Sequence, residues 1–266
     1  MTYELVTSAC GLAVWGWFFT RGRSALPREA HQPVPWRGTD VLLLALFYVA
    51  ALGGCSFLMT HLAGQAAGED ARLPVSFQVA AMALANGLTV ALVLLVAARY
   101  GRPGLPALGL RREPIPEQVV LGFLGFFAVL PLLAGFGYLL VRLAPLLHYE
   151  IERQDVVNVF ISGPRTPGYV WMVLYAVIVA PLAEEILFRG FVQGYLRRHF
   201  PPGGAIVLSA LLFAFFHQPV HAAIAVFFLG LILGYQRERT RSLLAPIITH
   251  ILFNLHTFIT TQIMRP

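Results

Sequence analysis

The amino-acid sequence predicts an all-α, polytopic membrane bundle of about eight transmembrane helices. Of its 266 residues, 58% are apolar and only 12% are charged, whereas soluble domains carry about 25% charged residues. The apolar runs approach or exceed the ~18 residues that mark a membrane-spanning helix, and they do not alternate with polar residues, which excludes a closed β-barrel. We therefore expect residues 1–266 to form a single integral membrane domain.

Charged and helix-breaking residues divide the chain into the expected spans. Between clusters of charge, proline and glycine, the remaining stretches are apolar and long enough to be read as spans. The eight predicted spans are residues 5–20, 41–64, 76–98, 118–143, 169–196, 204–218, 220–236 and 243–263.

The basic residues indicate which ends of the spans face the cytoplasm. All 19 are arginine, the formal net charge is +6, and most lie beside apolar segments, so we expect them to contact the lipid bilayer's anionic headgroups and not nucleic acid. Arginines in connections 21–40 and 99–117, and at 197–198 and 237–241, predict that these four segments are cytoplasmic and both termini external. The absence of lysine favours a GC-rich bacterial genome, and hence the inner membrane.

Two adjacent carboxylates and an arginine interrupt the apolar span 169–196. An ionisable group at membrane depth costs roughly 2.5–3.5 kcal/mol on insertion scales, so each is a functional hypothesis. Residues four apart share a helix face, so Glu185 can pair with Arg189, which leaves Glu184 without a cation. An unpaired carboxylate in a low dielectric suits a general base or acid. The alternative is a structural Glu185–Arg189 pair with Glu184 reaching a headgroup.

A histidine ends the next span. Phe213 and His217 lie four residues apart and share a helical face, and Pro219 follows at once. A lone histidine at a helix end is often only a cap or headgroup residue. His221 lies four residues beyond His217, but the intervening proline breaks the helix that a metal-binding histidine pair would need, so we expect no role for it.

The last span carries an imidazole and an amide on one face. His250 and Asn254 lie four residues apart in an otherwise apolar helix, so both should face the bundle interior. Hydrogen bonding between helices is the alternative explanation. With a helical rise of ~1.5 Å per residue, Glu184, His217 and Asn254 each lie about 13–14 residues from the arginine-rich end, and His250 about nine. Pro181 should open its helix close to this polar layer.

These residues form three motifs, in order, on three late spans: Glu184-Glu185-x-x-x-Arg189, Phe213-x-x-x-His217 and His250-x-x-x-Asn254. The set closely resembles the CPBP family of type II CAAX prenyl endopeptidases and bacteriocin-processing enzymes, over about residues 169–256. The resemblance implies an eight-span helical bundle whose catalytic core lies in that segment. It also implies peptide-bond hydrolysis of a membrane-anchored protein or peptide, inside the membrane.

The resemblance further implies a role for each motif residue. Glu184 with His217 would activate the attacking water, and His250 with Asn254 would hold the oxyanion. Glu185, Arg189 and Phe213 would support them.

The same residues raise the question of a metal. Glu184, His217 and His250 also make a conceivable zinc ligand set of two histidines and a glutamate. No HExxH motif is present, and the resemblance implies a metal-free glutamate mechanism, so we expect no cofactor.

Two other function classes compete with the intramembrane endopeptidase. A non-enzymatic membrane interaction or immunity protein could use the same bundle, but it would not need four converging polar groups. A transporter usually spreads polar or broken-helix features over two matching halves, whereas the first four spans here hold almost none. Sequence alone does not identify the substrate.

Overall fold

A computed structural model describes residues 9–16, 20, 34–67, 75–101, 103–110, 114–152, 155–162 and 167–263. Within these residues the regular elements are helices and no strand occurs. The helices are α1 (9–16), α2 (Gly38–Ala67), α3 (Val75–Arg99), α4 (Gly104–Ala107), α5 (Ile115–Leu143), α6 (Asp155–Ser162), α7 (167–196), α8 (Pro202–Phe215), α9 (Val220–Thr240) and α10 (Leu244–Ile263). The predicted all-α membrane bundle is confirmed.

Among the described residues, six helices are long and apolar enough to cross a membrane: α2, α3, α5, α7, α9 and α10. Six of the eight predicted spans are therefore found, with ends that differ by a few residues. The predicted span 204–218 is instead the 14-residue helix α8, whose length of about 21 Å is shorter than the ~30 Å hydrocarbon core. The predicted span 5–20 lies partly outside the described residues.

The spans pack so that α9 lies deepest. Half of its most apolar stretch is buried, against 17% for α2. It contacts α5, α8 and α10, while α2 packs mainly on α3, and α7 contacts α3, α8 and α10. The large exposed side chains of α2, α3 and α5 are mostly leucine, valine and phenylalanine, as expected of surfaces that face lipid tails.

The arginine-bearing connections meet at one end of the bundle. Arg197 forms an ion pair with Glu238 at 2.9 Å, and Arg198 donates to the Trp36 carbonyl at 2.8 Å. Arg237 donates to the carbonyl of Ala107 at 2.9 Å. The segments that the charge pattern assigned to one side of the membrane therefore share one end of the molecule. Arginines in 21–33, 102 and 111–113 lie outside the described residues.

Helix α7 is continuous but not regular. Two of its segments, Tyr175–Val179 and Glu185–Val192, have π-helical hydrogen bonding, and the short α-helical turn Ala180–Glu184 separates them. π-Helical turns are rare and frequently occur at functional sites. The predicted opening near Pro181 thus takes the form of a wider helical turn just before Pro181. Glu184 ends the α-helical turn, and Glu185 begins the second π segment.

Candidate active site

Three side chains join α7 to α10 at the centre of the site. Nδ1 of His250 lies 3.0 Å from Oε1 of Glu185, and Nε2 of the same ring lies 3.6 Å from Oε2 of Glu184. Because an ionised carboxylate only accepts hydrogen bonds, Nδ1 of His250 carries the hydrogen that it donates to Glu185. Sequence reasoning left Glu184 without a partner, but the structure places it beside His250.

The two adjacent glutamates differ in accessibility. The side chain of Glu184 is 19% exposed, whereas that of Glu185 is completely buried and that of His250 is 3% exposed. Glu184 is therefore the member of this cluster that a water or a substrate can reach. Glu185 instead holds the imidazole in one orientation, a function that its spacing to Arg189 did not reveal.

A buried arginine lies behind the cluster. Nε of Arg189 lies 3.4 Å from Oε2 of Glu185, and both side chains are fully buried, as the four-residue spacing predicts. The guanidinium carbon also lies 4.3 Å from the centre of the Phe213 ring, within the range of a cation–π interaction. Arg189 thus neutralises Glu185 from inside the bundle.

Phe213 connects the two histidines. Its ring is completely buried and lies 4.8 Å from the ring of His217 and 5.6 Å from that of His250, edge-on in both cases. The two imidazoles therefore contact the same phenyl ring. Replacing Phe213 by a smaller residue would leave a cavity between them.

His217 follows the end of α8, as its neighbour Pro219 predicts. Its Nδ1 donates to the Phe213 carbonyl at 2.8 Å, and a carbonyl oxygen only accepts, so in the neutral ring Nε2 keeps the lone pair. Nε2 can then take a proton from a water. His221 lies on α9, a different helix, and its Nδ1 is 3.0 Å from the Tyr149 hydroxyl.

Asn254 contacts the first π segment of α7. Its Nδ2 donates to the carbonyl of Ala176 at 2.8 Å. In the π register the N–H of Ala180 bonds to the carbonyl of Tyr175, so the backbone donor for Ala176 would be residue 181, and proline has no N–H. Asn254 supplies the missing donor. Within the part of the chain that the structure describes, its second amide hydrogen is available for another acceptor.

Sequence reasoning missed a polar group from the first half of the chain. Asn86 of α3 donates from Nδ2 to the Tyr175 hydroxyl of α7 at 2.8 Å, and both residues are buried. Tyr48 of α2 is also buried, and its ring lies 5.1 Å from that of Phe216, the residue before His217. Asn86 is a polar residue in an apolar span, and this could have marked it as a candidate. Sequence reasoning considered only the polar residues of the last third of the chain.

The ligands proposed for zinc do not converge. Among the described residues, no group of three or more histidine, cysteine, aspartate and glutamate side chains is arranged to hold a metal ion. Nδ1 of His217 and Nδ1 of His250 both make hydrogen bonds within the protein, so a metal ion would have to be bound through Nε2 of each ring. The residues as placed do not fit a metal site made from Glu184, His217 and His250.

Comparison with known proteins identifies the segment that carries this site. Residues 166–256 match the family described as type II CAAX prenyl endopeptidase Rce1-like. The match spans about a third of the chain, from the start of α7 to two residues beyond Asn254, and includes all three motifs. No curated protein and no solved structure matches the chain. The resemblance that the three motifs predict, to the type II CAAX prenyl endopeptidases of the membrane, is thus confirmed, and residues 166–256 carry it.

Proposed function

We propose that this integral membrane protein is an endopeptidase that hydrolyses a peptide bond of a membrane-anchored protein or peptide. The observation that carries the proposal is the partly exposed Glu184 beside His250, whose opposite nitrogen is fixed by the buried Glu185. A reachable carboxylate beside an oriented imidazole is an arrangement suited to acid–base chemistry. The match of this segment to a protease family supports the same conclusion.

In the proposed mechanism, Glu184 accepts a proton from a water molecule, assisted by Nε2 of His217. The resulting hydroxide attacks the carbonyl carbon of the scissile bond and forms a tetrahedral oxyanion. Asn254 and, in the form of the ring in which both nitrogens carry hydrogen, Nε2 of His250 donate hydrogen bonds to that oxygen. Donors fixed before the reaction stabilise it most effectively. The proton held by Glu184 then passes to the leaving amine as the carbon–nitrogen bond breaks.

The supporting residues hold these groups in position. Glu185 orients His250, Arg189 balances the buried charge of Glu185, and Phe213 separates the two imidazoles. The bond from Asn254 to Ala176 fixes the amide so that its free hydrogen has a defined direction. This division assigns no step to a metal ion.

The proposed setting is the cytoplasmic leaflet of a bacterial inner membrane. The arginine-bearing ends meet at one end of the bundle, and the positive-inside rule places such an end in the cytoplasm. We propose that the substrate's scissile bond enters from that leaflet.

Quantitative mass spectrometry of membrane-protein termini tests the proposal. Cells that produce the wild-type protein should contain new termini that are absent from cells with Glu184→Gln. The matched control is Glu117→Gln, because Glu117 is an exposed glutamate in the first turn of α5, and this variant should give the wild-type set of termini. An identical set of termini in all three strains would instead support the non-enzymatic interaction protein.

A further inference from the structure

Tyr175 and Asn86 form a buried polar pair that the proposed mechanism does not use. The two residues are 9% and 8% exposed, and Asn86 Nδ2 lies 2.8 Å from the Tyr175 oxygen. Buried polar groups are nearly always arranged to satisfy their hydrogen bonds. An explanation of this pair between two membrane spans should therefore name an acceptor for the hydroxyl hydrogen of Tyr175.

The direction of the Asn86 bond determines what the tyrosine can still do. The amide nitrogen donates, so the tyrosine oxygen is the acceptor and its own hydrogen points elsewhere. In the part of the chain that the structure describes, this is the one hydrogen bond that the Tyr175 hydroxyl makes. The hydroxyl hydrogen is thus left for a group that is not part of the described protein.

The neighbourhood of Tyr175 indicates which group that is. Tyr175 opens the π segment in which the next residue, Ala176, is held by Asn254. Helix α3, whose Asn86 bonds the Tyr175 hydroxyl, also packs against the turn Ala180–Glu184 that carries the base. The first π segment therefore carries a hydroxyl donor and anchors an amide donor in the part of α7 that leads to Glu184.

We propose that Tyr175 is a further catalytic residue, whose hydroxyl donates a hydrogen bond to the carbonyl oxygen of the scissile peptide bond, and that Asn86 is the positioning residue that holds it. This inference rests on the proposed endopeptidase function. Tyr175 would act together with His250 and Asn254, which approach the same oxygen from α10. The site would then combine residues from both halves of the chain.

The test is Tyr175→Phe, which keeps the ring and its packing but removes the donor. The assay uses the purified full-length protein and an internally quenched peptide that spans the most abundant Glu184-dependent cleavage site found in cells. Loss of an oxyanion donor typically lowers kcat by about 10²–10³-fold, and we expect a fall of about 10²-fold with KM nearly unchanged. The control Tyr235→Phe alters a tyrosine of α9 that lines a different cavity and should keep the wild-type kcat.

Asn86→Ala tests the positioning role. It should lower kcat by about 10-fold, less than the loss of a donor, because the hydroxyl remains but is no longer held. The kcat of the double variant Tyr175→Phe, Asn86→Ala should be no lower than that of Tyr175→Phe alone, since the effects of residues that act as a unit are not additive. Thermal unfolding of each variant in detergent separates these effects from misfolding. Full additivity, or a loss of kcat only where the unfolding temperature also falls, would overturn the positioning role.

Failure of this inference can be distinguished from failure of the proposed function. If Glu184→Gln abolishes cleavage while Tyr175→Phe keeps the wild-type kcat, Tyr175 is not catalytic and the endopeptidase stands. If Tyr175→Phe raises KM alone, the hydroxyl binds the substrate without stabilising the oxyanion, and the proposal is wrong. If no terminus depends on Glu184, the endopeptidase function fails and this inference fails with it.

Discussion

Glu184 and Glu185 are adjacent in sequence, but their side chains occupy different environments. Neighbouring residues of a helix point about 100° apart, so one carboxylate can be partly exposed while the other is buried against Arg189 and His250. This difference follows from their positions on α7. It makes the two glutamates separable by mutation.

Glu184→Gln should abolish proteolysis with little change in the unfolding temperature, because it removes the base while an amide of the same size stays beside His250. Glu185→Gln keeps an acceptor for His250 but leaves Arg189 buried without a counter-charge. Breaking a buried ion pair costs about 3–5 kcal/mol, so this variant should unfold at a lower temperature and retain part of its activity. Peptide cleavage and thermal unfolding in detergent measure both effects. Equal and complete loss of activity in two stably folded variants would contradict this division of roles.

Removal of metal ions distinguishes two mechanisms that use the same residues. In the metal-free mechanism, activity should survive prolonged treatment with 1,10-phenanthroline, and the purified active protein should contain well under one equivalent of zinc by elemental analysis. Asn254→Ala should then cost about 10²–10³-fold in rate, as the loss of one oxyanion donor does. Stoichiometric zinc whose removal and restoration switch activity off and on would leave the protease assignment standing and overturn the metal-free mechanism.

At the scale of elements, hydropathy predicted the long spans better than their internal geometry. The predicted span 118–143 corresponds to Ile115–Leu143, and 169–196 to α7. Hydropathy also counted the stretch 204–218 as a span, whereas the helix there is Pro202–Phe215, which is too short to cross the hydrocarbon core and ends before Pro219. Hydropathy could not predict the π-helical hydrogen bonding of α7, since that bonding depends on contacts with other helices.

The link between Pro181 and Asn254 gives a prediction about α7. Asn254→Ala leaves the Ala176 carbonyl without its side-chain donor, and Pro181→Ala provides a backbone N–H at the position where the π register needs one. The double variant should therefore recover most of the thermal stability that Asn254→Ala loses. Differential scanning fluorimetry of the two single variants and the double variant measures this coupling.

Recovery of stability need not restore catalysis. If Asn254 also donates to the oxyanion, the double variant should be stable but still slow. Complete rescue of both stability and rate would show that Asn254 only positions α7. Independent, additive losses of stability would show that Pro181 and Asn254 are not linked through Ala176.

At the scale of the whole molecule, the arginine-rich ends define an orientation. His199 is exposed at the end where Arg197 pairs with Glu238, and Glu150 is exposed beyond the opposite end of α5. In a background without Cys10 and Cys55, a membrane-impermeant maleimide should label Glu150→Cys in intact bacterial cells. It should label His199→Cys only after permeabilisation. The reverse pattern would place the site near the outer leaflet.

The origin of the site in the sequence shows what could be predicted and what could not. Glu184, His217, His250 and Asn254 stand out because polar residues are costly in apolar spans. Their contacts could not be predicted in the same way. The Glu185–His250 bond joins residues 65 positions apart, and the Asn86–Tyr175 bond joins residues 89 apart. Such pairs depend on how the spans pack, which one sequence does not specify.

Helices α2 and α3 contact the segment that carries the three motifs, so we expect that this segment cannot function without them. Residues 166–256 contain the three motifs, but Tyr48 and Asn86 lie outside that segment. Tyr48 packs against Phe216 and Asn86 bonds to Tyr175, both within it. A chimera that grafts this segment onto the first spans of an unrelated membrane protein would keep every motif residue and lose the partner of Tyr175. When segments are exchanged between related proteins, we expect activity only where the first and the last spans come from the same protein.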